Sequence, residues 1–152
     1  MTGVSPPTEG DEPMKYMLIL KATEETEAAS EPAGEEDLNA MGRYNEELIK
    51  AGVLLAGEGL TPSAEGARID YSGEDRDVTD GPFTETKELI AGFWIIQTAS
   101  RDEALEWARR IPLTSGAVEV RRVFEIAEFD QDNAYVQQEK QWREDGGEAR
   151  TA

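Results

Sequence analysis

Asp80 is the acid in this sequence best placed to do chemistry. It stands in Thr79-Asp80-Gly81-Pro82-Phe83-Thr84-Glu85-Thr86-Lys87-Glu88, which sets one aromatic and four ionisable side chains ahead of the apolar run Leu89 to Ile96. A carboxylate in such a loop can take a proton from a substrate if burial desolvates it or a second acid, Glu85 or Glu88, lies beside it. It can equally accept hydrogen bonds from the backbone of its own turn. Gly81 would then supply an unusual φ, and Pro82 would fix φ and remove a donor. The two roles can coexist, and the residues leave both open. Phe83 reads as a pocket wall or core anchor, with ligand stacking as the alternative. Lys87 could bind an anionic group of a small molecule, or form only a surface ion pair with Glu85 or Glu88.

Other chemistries are excluded by residue type. The chain has no histidine and no cysteine, which removes imidazole acid–base work, Ser-His and Cys-His nucleophiles, thiolate metal sites and disulfides. Gly57-Glu58-Gly59 lacks the third glycine and the following helix of a dinucleotide fingerprint. Asp80, Glu85, Glu88 and Glu58 offer oxygen ligands of the kind Mg²⁺ or Ca²⁺ prefers, but no EF-hand spacing accompanies them, and neither a metal nor any other cofactor is expected. The formal net charge is −18, from 33 acids against 15 bases. Nucleic acid and anionic membranes should therefore be repelled, because both are bound through basic patches. So dense a carboxylate surface is either ordinary solvation or an adaptation to high salt, where screening relieves self-repulsion.

The elements around this loop follow from periodicity. Residues 1–13, rich in proline, glycine and acids, are expected to be a disordered leader. Lys15 to Lys21 reads as a central strand with apolar residues on both faces. Thr23 to Gly34 reads as a loop. Glu35 to Ala51 reads as a helix with Leu38, Met41, Tyr44, Leu48 and Ile49 at helical spacing, opened by acids and stopped at Gly52. Val53 to Ala56 is a short strand, followed by a loop over Gly57 to Ser63. Ala67 to Tyr71 and Arg76 to Thr79 form a polar hairpin around Ser72 to Asp75. Leu89 to Thr98 is the clearest strand, and Gly92 within it marks a bulge or a close backbone approach. Ser100 and Glu103 open a helix that Pro112 ends, and Ala117 to Ile126 alternates as a last strand. A poorly capped terminal helix over 131–144 and disorder from Gly146 complete the chain.

The order β-α-β, hairpin, β-α-β predicts an α+β domain, best fitted by the ferredoxin-like βαββαβ plan with an inserted hairpin. The expected domain spans 14–128, with a C-terminal extension over 129–152. Two helices cover one face of such a sheet, so the other face predicts a homodimer, sheet against sheet. No apolar run is long enough to cross a membrane and the N-terminus has no signal-like apolar stretch, so a cytoplasmic protein is expected.

As it stands, Asp80-Gly81-Pro82-Phe83 resembles the hallmark of the YCII-related family, in the branch often called DGPF-domain proteins, and the resemblance extends over about residues 14–126. It implies a dimeric α/β-barrel and a pocket for an unknown small molecule, bordered by Asp80, Gly81, Pro82, Phe83 and the Gly59 to Ser63 loop. The wider family is thought to use a His–Asp pair. In the DGPF branch a histidine often stands where this sequence has Thr61, so that mechanism lacks its histidine here. What the resemblance leaves is a small-molecule-binding domain. Its alternatives are a lyase or dehydrochlorinase-like enzyme with Asp80 as base, or a regulatory partner linked to extracytoplasmic-function sigma factors.

Overall fold

The computed structural model describes residues 13–29 and 33–146. The expected leader and the tail beyond Gly146 lie outside the described residues, except Pro13. The chain divides after Arg122 into two compact units, each described by itself.

The first unit is built on a four-stranded sheet. Its centre is β1 (Met14–Lys21) against β5 (Ile90–Thr98), antiparallel and in register from Met14 opposite Thr98 to Leu20 opposite Gly92. Outside β5 lies β2 (Leu54–Gly59), and outside β1 lies β6 (Val118–Arg122). All pairs are antiparallel, in the order β2-β5-β1-β6. The sheet does not close on itself. A separate two-stranded hairpin, β3 (Ala67–Asp70) with β4 (Asp77–Asp80), pairs Ile69 with Val78 and Ala67 with Asp80.

The helices are α1 (Glu24–Ala28), α2 (Glu35–Lys50) and α3 (Arg101–Arg109). The short α1 corrects the expectation of a loop from Thr23 onward. Five residues carry no readable period, but Thr23 and Thr26 close a reciprocal capping box in which each side chain accepts from the other residue's N–H. The strand expected over Val53 to Ala56 begins at Leu54 and runs on through Gly59, because β5 offers partners as far as Gly92. The last strand is shorter than its alternation suggested, ending at Arg122 instead of Ile126.

Core and surface follow from which way each strand residue faces. Tyr16, Leu18, Trp94 and Ile96 are buried with Tyr44 and Leu48 of α2 and Ala104 and Trp107 of α3. Trp94 and Ile96 therefore lie on the helix-covered face. Strand alternation sends Met17, Ile19, Phe93 and Ile95 to the opposite face, where they are half-buried. On α2 only Tyr44 and Leu48 are buried, and Leu38 and Ile49 are exposed. Their helical spacing is real, but the stripe that meets the sheet is narrower than the apolar set.

Polar groups tie the layers together. The Tyr44 hydroxyl donates to the Trp107 carbonyl at 2.7 Å, and the Trp94 indole N–H donates to Asn45 Oδ1 at 2.8 Å. The Tyr44 and Trp94 rings meet edge to face at 5.7 Å. Gly52, with φ of +72°, ends α2 as its sequence position predicts. The Ser100 hydroxyl accepts from the Glu103 N–H, and the Glu103 carboxylate accepts from the Ala99 N–H, so both expected capping residues are engaged.

In the second unit, α4 (Ala134–Glu144) is better capped than its sequence suggested. Asn133 Oδ1 accepts from the N–H groups of both Tyr135 and Val136.

Candidate functional site

The loop after β4 owes its shape to contacts with the segment around Ser63. Strand β4 includes Asp80, and the Gly81 N–H then donates to the Gly66 carbonyl at 3.0 Å. A Cβ on Gly81 would stand 1.8 Å from the Ser63 carbonyl oxygen. Its backbone is not in the left-handed region, so glycine is required by proximity and not by the unusual φ expected from sequence. The Gly81–Pro82 peptide is cis. Phe83 is held next: its N–H donates to Ser63 Oγ at 3.0 Å.

Ser63 is in turn fixed by a residue that sequence reasoning missed. Its N–H donates to Glu27 Oε2 at 2.9 Å, and its hydroxyl donates to Glu27 Oε1. Glu27 sits on α1, 36 residues away in sequence. An ionised carboxylate is an acceptor with two oxygens, so one side chain can satisfy both donors. The chain of contacts Glu27, Ser63, Phe83 therefore couples a helix, a turn and the loop. From sequence Ser63 stood only at the end of the Gly57 to Ser63 loop; nothing marked Glu27 among so many acids.

The other candidate residues fall into place around this linkage. Asp80 is exposed, and among the described residues no hydrogen bond from its turn reaches its carboxylate. Thr61 and Pro82 are exposed, whereas Gly81 and Phe83 are half-buried. Lys87 lies exposed in the short helical turn Thr86–Glu88, and no ion pair with Glu85 or Glu88 forms among the described residues. The Arg68 guanidinium covers the Phe83 ring, its carbon 3.9 Å from the ring centre. One face of the Phe83 ring is thus already occupied by a cation. Among the described residues no three carboxylates converge as a metal ion would need.

A cleft of about 560 Å³ lies away from this loop, between the end of α2, the start of β2 and α3. Its lining includes Lys50, Val53, Glu103, Trp107 and Arg110. The indole N–H of Trp107 is buried without a partner among the described residues, and burial pushes the neighbouring Tyr44 hydroxyl far above the usual phenol range. These are features of the packing between α2 and α3, not of the Asp80 loop.

The model of the YCII-related domain matches residues 14–127. The chain belongs to the YCII-related family. An uncharacterized protein of Rhizobium meliloti (strain 1021) is 35% identical over 112 residues, covering 71% of this chain and 90% of that relative. The YCII-related match spans every strand and the first three helices, so the Glu27, Ser63 and Phe83 linkage lies wholly inside the family domain.

Proposed function

We propose that this YCII-related chain is a small-molecule-binding domain of the DGPF branch, acting as a homodimer, with its ligand taken at the loop Asp80 to Phe83 and the adjoining turn Thr61 to Ser63. The observation that carries this reading is the tethering of the loop. Gly81 is pressed onto the Ser63 backbone, and Phe83 hangs from Ser63, which Glu27 holds in turn. A surface loop fixed from beneath is preorganised, so little ordering cost remains when a ligand arrives. Binding is favoured over proton abstraction by the exposure of Asp80, since an efficient carboxylate base needs a desolvated site.

The order β2-β5-β1-β6, with α2 and α3 on one face, supports the ferredoxin-like plan with the β3–β4 hairpin inserted. The half-buried face of Met17, Ile19, Phe93 and Ile95 suits a second copy, as the dimeric α/β-barrel requires.

A fragment screen followed by amide NMR tests the site. Hits are expected to shift the Gly81 and Phe83 amides, and Asp80→Asn should leave their affinity within about threefold, in keeping with a surface substitution worth roughly 0.5 kcal/mol. Hits gathering only at the cleft between α2 and α3 would move the site there. Turnover of a hit that disappears in Asp80→Asn would restore the enzymatic reading.

A further inference from the structure

We propose that Arg68 is the anion-recognising residue of this loop and that the ligand carries a carboxylate. The inference rests on the loop being the binding site, and it adds the ligand's chemical class. Arg68 is exposed, and among the described residues it forms no ion pair, although the chain has 33 acids for 15 bases. Lys50, Arg110, Arg121 and Arg143 each lie within 4 Å of a carboxylate, whereas Arg68, like Lys87, does not. Arg68 instead places its guanidinium 3.9 Å from the centre of the Phe83 ring.

That stack has a chemical consequence. A guanidinium lying over an aromatic ring uses its face and keeps the N–H groups along its edge free, in a fork that matches a carboxylate with two parallel hydrogen bonds. The backbone that carries the ring is held in place, because the Phe83 N–H is bonded to Ser63 and Ser63 to Glu27. The Arg68 guanidinium already rests on this ring with no ligand present, which reduces the entropy a long side chain loses on binding.

Neighbouring residues narrow the class further. Thr79 is the cross-strand partner of Arg68, so its hydroxyl belongs to the same hairpin face. Asp70 and Asp77, an adjacent cross-strand pair, share that face two positions along. A singly charged carboxylate tolerates these acids and the net charge of −18 better than a phosphate dianion does. One fork also satisfies one carboxylate, whereas a phosphate has further oxygens to satisfy.

The test compares benzoate, benzamide and inorganic phosphate at fixed ionic strength, following the Arg68 Nε–H and Phe83 amide signals by NMR. Benzoate should shift both saturably, benzamide should not, and phosphate should bind more weakly than benzoate. Arg68→Gln should weaken benzoate roughly ten- to a hundredfold, as expected for losing hydrogen bonds to a charged group, while the Trp94 and Ile96 amides stay unmoved. Arg68→Lys keeps the charge without the fork and should bind between the two; it also serves if the glutamine variant disturbs the hairpin. Equal binding of benzoate to wild type and both variants refutes the role of Arg68 but leaves the loop as the site. Tighter phosphate than benzoate overturns the carboxylate class. If benzoate shifts no loop signal while other small molecules do, this inference fails alone; if nothing binds at the loop, the functional reading fails with it.

Discussion

Gly81 shows how one residue can be indispensable for a reason its sequence neighbourhood misstates. Beside an Asp and ahead of a Pro, it suggests a turn with unusual φ, yet its role is to let two backbones touch. Gly81→Ala must push a methyl into the Ser63 carbonyl, 1.8 Å from where the new carbon would sit, and neither backbone segment can yield cheaply. The expected loss is about 1–3 kcal/mol, the usual range for overpacking, read as a shift in urea midpoint at unchanged slope. The Phe83 amide should move with it, because the same displacement breaks its bond to Ser63. A variant with wild-type stability and an unmoved Phe83 signal would contradict the tethered loop. Gly92 is the parallel case where sequence was read correctly: a Cβ there would meet the Glu58 carbonyl oxygen at 2.8 Å.

Between elements, Tyr44 joins α2 to α3 through its hydroxyl and to β5 through its ring. Burial raises its pKa above the ordinary 10.0. Below pH 10 both folded and unfolded chains keep this proton, so the full stability is present. Above it the unfolded chain ionises first and binds fewer protons, so stability falls as pH rises towards the folded-state pKa. Each pH unit in that window lowers the folded-to-unfolded ratio by up to about tenfold. Denaturant titrations between pH 9 and 11 should therefore slope downward in wild type and less steeply in Tyr44→Phe. The elements that sequence made legible were those with enough length for a period: α2, α3, and the two central strands. What it could not convey was pairing. The capping box of α1 needs two threonines three residues apart, too short a signal to separate from a loop, and the bond from Glu27 to Ser63 spans 36 residues. Of the candidate site, the loop was therefore visible and its anchor was not. Strand alternation likewise implied two faces for β5 without saying that Trp94 and Ile96 would be the covered ones.

For the molecule as a whole, charge sets the conditions of stability. With −18 spread over one chain, repulsion opposes both folding and pairing of copies. It weakens as the Debye length falls from about 10 Å at 0.1 M salt to about 3 Å at 1 M. Melting temperature should climb across that range, and sedimentation at micromolar protein should show a rising share of species at twice the monomer mass. A flat or falling melting temperature would mean that the acids are too well solvated to matter, and a chain that stays monomeric at 1 M would remove the dimer. The β3–β4 hairpin adds a division of labour that concerns heredity more than energy. Among the described residues its strands pair with each other and with no strand of the four-stranded sheet, so its tip, Ser72 to Asp75, can be lengthened, shortened or recoloured without altering the pairing of a core strand. Arg68 rides on this same hairpin. Substitutions on the exposed hairpin can therefore change the surface it presents while the strand pairing of the scaffold stays as it is.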